Sequence, residues 1–390
     1  MDIRQLRPEE FEASLSLSEY AFQYKVSGEA RAESRMKFKP ERVWGGFEEG
    51  VLGAELTLLP LQVYIQGKAV RMGGIAGVAT WPENRRQGLV AKLLRHTLQT
   101  MNEAGQTLSF LHPFLIPFYR RFGWEVYCEY KKYSIPVAMF PRKTEIQGSI
   151  MRDTAELEIL EQLYSRFAAE YNGTLQRDRD WWKRSVLDED THHCVFYSEL
   201  GEPEGYVLYK IEKKELVIDE FVYLNEKARQ GLWTFLANHD SMITGALLKL
   251  VPSDDMLPYL LPDPRIQQES YPYFMARIVN AEAFVNNFSF RGQNSIQKCT
   301  LYIEDEHAPW NDGLWQWTVT EQGEATLSRV EGTKDTADLS CTIGTLTVLL
   351  LGYKRPSELA RYGQLTGKAE AVQWLEDIVP QSKTALFDFF

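Results

Sequence analysis

The stretch RRQGLVAKLLRH, residues 85–96, returns as ARQGLWTFLANH at residues 228–239, with Gly88 set against Gly231 at an offset of 143. The runs before the two copies also align, GGIAGVATWPE against LVIDEFVYLNE. A repeat of this length is one supersecondary unit, here strand, turn and helix, used twice. The chain of 390 residues must therefore carry two related α/β units, with enough sequence left for a further domain.

The two copies differ where chemistry would be done. In the first, a strand rich in small residues leads through Arg85, Arg86 and Gln87 to Gly88, and an amphipathic helix opens near Gly88. The first turn of a helix presents unpaired N–H groups and partial positive charge, a ready seat for phosphate. Two guanidinium groups strengthen it, and a glycine lets the backbone come close. In the second copy Arg85 is matched by Ala228 and the glycine-rich strand becomes bulky and acidic. The fold is expected to survive there and the anion site to be lost.

Downstream of the first helix, TLSFLHPFLIPFYRRFGWEVY reads as a buried strand, a proline-flanked loop and a short helix carrying Tyr119. A phenol of ordinary pKa near 10 is neutral at pH 7 and can give its proton to a leaving thiolate. The residue facing it in the second copy is Pro262.

These residues resemble the GNAT superfamily of N-acetyltransferases. The match to the family's Arg/Gln-x-x-Gly-x-Gly/Ala run is Arg85-Arg86-Gln87-Gly88-Leu89-Val90, with valine in the last small position, and FYRRFGW is similar to its Y-x-x-x-G-F/W run. The resemblance implies that acetyl-CoA is bound by Val78, Ala79 and Thr80 along its pantetheine arm. It places the phosphates on Arg85 to Ala91, and adds Phe114 and Leu115 from the following loop. Tyr119 would then be the general acid.

From about residue 281 the pattern turns to strands, QKCTLYIED, GLWQWTVTEQG and EATLSRVEG, followed by helices at TIGTLTVLLLGY and KAEAVQWLEDIV. This α+β segment resembles a sterol-carrier-protein-like fold. The whole order is similar to the Eis-like (enhanced intracellular survival) acetyltransferases. The expected architecture is α/β and α+β: a catalytic GNAT domain over 1–141, a degenerate GNAT-like domain over 142–280 and a sterol-carrier-like domain over 281–390. The chain ends in LFDFF, an apolar terminus where polar, frayed residues are usual. Burial of these phenylalanines would carry the terminal carboxylate inward, and the resemblance makes the main-chain carboxylate of Phe390 the general base.

The remaining features exclude more than they assign. A net charge of −11 with dispersed Lys and Arg opposes nucleic-acid binding and favours a small cationic amine. The charged start and the short apolar runs imply no membrane span and a cytoplasmic protein. Cys128, Cys194, Cys299 and Cys341 are too dispersed for a disulfide framework, and the adjacent His192, His193 and Cys194 lack metal-ligand spacing, so no metal is expected. The expected activity is acetyl transfer to an aminoglycoside, polyamine or lysine amine. The alternative is a non-catalytic acyl-CoA or lipid carrier. The Eis-like resemblance further implies a homo-oligomer, a hexamer.

Overall fold

A computed structural model describes residues 2–390. Two seven-stranded sheets and one five-stranded sheet form the three parts of the chain. In the first sheet the order is Asp2–Gln5, Val43–Glu48, Val51–Ile65, Lys68–Thr80, Leu108–Leu111, Met275–Ile278, Glu125–Val126. In the second it is Gln267–Pro272, Glu129–Pro136, Gly245–Pro252, Glu215–Tyr223, Pro203–Glu212, His192–Tyr197, Ser149–Arg152.

The duplication is visible in the strands: Thr80 and Tyr223, 143 positions apart, both end the long strand that leads into a helix. The helices differ. The first, Leu89–Glu103, starts after Gly88, whereas the second, Glu226–Ala237, starts six positions earlier in the repeat frame. The expectation of a turn at the second RQG is therefore corrected, because Arg229, Gln230 and Gly231 lie inside the helix. The cause is local. Asn225 accepts the N–H of Ala228 and caps the helix early, while the matching stretch of the first copy contains Pro82 and forms only a 3₁₀ turn, Pro82–Asn84. Gly231 serves packing, since a Cβ there would stand 2.6 Å from the Phe196 ring.

The two sheets exchange strands across the expected boundary near 141. Glu129–Pro136 leaves the first unit to pair in the second sheet, and Met275–Ile278 returns to sit between Leu108–Leu111 and Glu125–Val126. The third part folds as a sheet ordered Ala325–Arg329, Gly313–Val319, Gln297–Glu304, Leu339–Thr342, Leu365–Gly367. Its helix Ile343–Leu351 is buried on every side, and one apolar core runs from it into Met72, Leu108 and Ile278 of the first sheet. Arg277, fully buried, spans the same junction with both Asp305 oxygens at 2.6 and 2.7 Å. The four cysteines are buried and free. No helix among the described residues is long and apolar enough to cross a membrane.

Candidate active site

The strands Lys68–Thr80 and Leu108–Leu111 pair in parallel only from Met72↔Leu108 to Ile75↔Leu111. Beyond Ile75 the first strand runs on alone to Thr80, leaving a cleft between the two at their carboxyl ends, where open α/β sheets bind ligands. A bulge opposite Glu55–Thr57, with Gly77 at φ 58°, turns the backbone around Val78. Val78 is half-buried, Ala79 is buried in the packing against Leu17 and Thr80 is half-buried at the mouth.

The turn that follows has the geometry of an anion seat. Arg86 and Gly88 adopt left-handed conformations, φ 65° and 79°, and a Cβ on Gly88 would meet nothing within 4 Å. Glycine is needed there for its backbone angle and for the open space in front of it. The first return bond of the helix is Lys92 N–H to Gly88 O, and among the described residues the N–H groups from Gln87 to Ala91 have no acceptor. Arg85 and Arg86 are exposed and make no ion pair among the described residues. Gln87 instead closes the turn, donating to Glu83 O at 2.9 Å. Leu89 sends its side chain into the core, and Val90 and Ala91 lie half-buried against it. The matching arginine of the second copy, Arg229, is buried and gripped by both oxygens of Glu226.

Tyr119 lies on the short helix Ile116–Arg120, 2% exposed, with its ring 5.2 Å from that of Phe114. Burial pushes its phenol up. It is therefore neutral at any physiological pH. Phe114 and Leu115 are exposed apolar residues of the preceding loop, 66% and 52%.

The C-terminal segment enters this sheet from the opposite side of the chain. Lys383–Thr384 pairs with Tyr171–Asn172, and the Phe390 ring is the neighbour that a Cβ on Gly74 would strike at 2.8 Å, beside Leu61. Phe389 is 63% exposed with its ring 4.9 Å from that of His112, so burial of all three phenylalanines is not what holds the terminus. Asp388 holds it, a residue that sequence reasoning missed. It is buried and accepts from Arg177 Nε at 2.8 Å, Trp181 Nε1 at 2.7 Å and Tyr164 Oη at 3.2 Å, and its carbonyl accepts from Tyr273 Oη at 2.9 Å. Arg177 also pairs with Glu220, which accepts from Tyr206 Oη at 2.7 Å. A lone acid inside LFDFF was the available signal.

Two further groups on this face were also unanticipated. Glu55, 2% exposed, accepts from Ser18 Oγ at 3.1 Å and has one oxygen unpartnered. Burial pushes its carboxyl up to about 7. His112 follows the strand Leu108–Leu111, and burial lowers its pKa, which keeps the imidazole neutral.

A splayed parallel pair followed by an open helix N-terminus and a neutral phenol defines a class of acyltransferase, and comparisons with known proteins agree. Two acetyltransferase (GNAT) domain models match residues 2–127 and 173–278, and a sterol carrier protein domain model matches 281–387. The N-acetyltransferase Eis of Mycobacterium tuberculosis is 23% identical over 82% of this chain and 80% of its own. A Streptomyces avermitilis N-acetyltransferase is 23% identical over 90% and 88%. An Enterococcus faecalis structure described as a probable N-acyltransferase superposes with TM-score 0.92 at 29% identity, covering 100% of this chain and 99% of its own. Eis1 of Mycobacterium abscessus has the same fold, TM-score 0.83 over both whole chains at 20% identity. The chain is an N-acetyltransferase of the GNAT superfamily and belongs to its Eis-like branch. GNAT acetyltransferases use acetyl-CoA as acetyl donor.

Proposed function

We propose that the first unit transfers acetyl from acetyl-CoA to a primary amine of a small cationic acceptor, an aminoglycoside, a polyamine or a lysine side chain. The observation that carries this reading is the contrast between the two turns: free N–H groups and unpaired guanidinium groups at 85–91, against a capped helix and a paired arginine at 228–231. The diphosphate of the coenzyme then lies on Arg85 to Ala91, and its arm runs along Val78, Ala79 and Thr80 beneath Phe114 and Leu115.

The amine nitrogen attacks the thioester carbon, and backbone N–H near Val78 takes up the negative charge on oxygen. Collapse breaks the C–S bond, and the thiolate takes the proton of Tyr119, which the solvent restores. The nitrogen proton goes to the main-chain carboxylate of Phe390. Transfer from a resting ammonium near pKa 10 to a carboxyl near 3.5 is uphill by about 9 kcal/mol, so it follows attack, when that nitrogen has become strongly acidic. No metal enters these steps. The interior of the third domain is filled by Trp315, Trp317, Leu327 and Leu346, which favours catalysis over lipid carriage. The protein acts in this role as a cytoplasmic hexamer.

The test is release of CoA thiol with a panel of polyamines and aminoglycosides, using wild type, Tyr119→Phe and a variant extended beyond Phe390. The extension is expected to abolish turnover while acetyl-CoA still binds. Normal turnover by the extended chain removes Phe390 as the base.

A further inference from the structure

The second unit keeps the splayed strands of the first but has refilled the space between them with a different chemistry. Strands Glu215–Tyr223 and Gly245–Pro252 pair in parallel only as far as Ile218↔Leu248, and a cavity of about 280 Å³ opens beyond that point. It occupies the position that the coenzyme cleft has in the first unit. A diphosphate is unsuited to it. Asn225 has taken the first-turn N–H of Ala228, and the walls carry the carboxylates of Asp219, Glu220, Glu226, Asp254 and Asp255, with the exposed Glu170 beside them.

Four of those carboxylates are already matched: Asp219 by Lys249 at 2.8 Å, Glu220 by Arg177, Glu226 by Arg229 at 2.6 Å and Asp254 by Lys383 at 2.7 Å. Asp255 has no cation within ion-pair distance among the described residues; it accepts the N–H of Leu257 at 2.9 Å and has Tyr133 and Lys131 nearby. Burial raises its pKa, as for a carboxylate short of a counter-ion. A second unsatisfied group lies behind the cavity wall. Arg229 is 7% exposed and lines the cavity, and its Nη1 has no acceptor although Nε and Nη2 are both satisfied by Glu226. A buried, unsatisfied guanidinium nitrogen costs stability unless something fills the site. The walls are also aromatic, with Tyr171, Phe221, Tyr223, Trp233 and Phe387. Rings of this kind attract organic cations through their faces.

We propose that this second cleft binds a small organic ammonium ion with an aromatic body, its ammonium at Asp255 and its ring among Tyr171, Phe221, Tyr223 and Trp233. It is an amine site without acetyl transfer, since Pro262 stands where the repeat would need the phenol and no N–H cradle is open. The duplicate has lost an anion site and gained a cation site at the same place in the fold.

The probe is tyramine, which carries an ammonium, one ring and a hydroxyl, titrated calorimetrically into the full chain saturated with CoA. A saturable site sensitive to changes in the second cleft is expected, equally in wild type and Tyr119→Phe, beside any binding at the acceptor site of the first unit. Asp255→Asn and Leu250→Trp, which fills the cavity without altering its charge, should each weaken binding at least about tenfold, the loss of roughly one well-placed charged hydrogen bond. The anion 3-(4-hydroxyphenyl)propionate should bind at least about tenfold more weakly than tyramine. Absence of saturable tyramine binding, binding unchanged in both variants, or equal affinity for the anion overturns the proposal. Should Asp255→Asn fail to fold, Leu250→Trp and the anion comparison decide alone.

Discussion

Arg177 is the group whose removal should most cleanly separate the C-terminal segment from the rest of the site. It sits with its side chain 1% exposed between Glu220 and Asp388, whose side chains are 9% and 2% exposed. Arg177→Met strands two carboxylates in low dielectric with only tyrosine and tryptophan donors left. Breaking a buried pair from one side costs about 3–5 kcal/mol. Asp388→Asn is milder: Arg177 keeps Glu220, and what is lost is the charge on three hydrogen bonds, about 1–2 kcal/mol. If this cluster is what closes the terminus over the sheet, the cost appears as local opening of residues 385–390. At about 1.4 kcal/mol per tenfold, hydrogen-exchange protection of the C-terminal peptide should fall roughly two to three and a half powers of ten in Arg177→Met and about one in Asp388→Asn. The double variant should be less open than Arg177→Met alone, because one stranded charge is gone. Turnover should follow the same order while the affinity for CoA stays at the wild-type value. Equal protection in all four proteins, or a larger loss in Asp388→Asn than in Arg177→Met, refutes the assignment.

Other outcomes follow from single groups. Tyr119→Phe should lower kcat by about 10²–10⁴ with unchanged acetyl-CoA binding, as measured by thiol release and titration. Glu55 binds an extra proton in the folded chain between its unfolded pKa of 4.5 and about 7, so its contribution to stability falls as pH rises through that window. Glu55→Gln should accordingly stabilise the first unit by about 3 kcal/mol at pH 8 and by little at pH 4.5, checked by urea unfolding at both values. Gly88→Val meets no steric obstacle but forces a β-branched residue to φ 79°, and the strain of about 1–3 kcal/mol should weaken CoA binding, whereas Gly88→Asn, tolerant of that conformation, should do so much less.

The repeat was legible because its glycines, its helical periodicity and its spacing are all local. The sterol-carrier segment was legible through alternating strands and two apolar helices. The second turn was misread for a local reason too: RQG is compatible with helix, and the early cap at Asn225 together with the missing proline outweighed the resemblance to 85–88. The exchange of Glu129–Pro136 for Met275–Ile278 could not be read, since both strands carry ordinary patterns and their partners lie far away in sequence. The anchor of the terminus was hidden in the same way. Phenylalanine invited an argument from burial, but Asp388 is held by Arg177, 211 positions earlier, and the lone acid inside LFDFF does not say which cation it meets.

The reading of the two units as one coenzyme site and one altered duplicate rests on where CoA binds. Calorimetric titration of CoA into wild type, the Arg85→Glu/Arg86→Glu variant and Arg229→Gln tests this most directly. One molecule per chain is expected, with affinity lost in the first variant and retained in the second. Two molecules per chain, or undiminished binding after both arginines at 85 and 86 are reversed in charge, would contradict it.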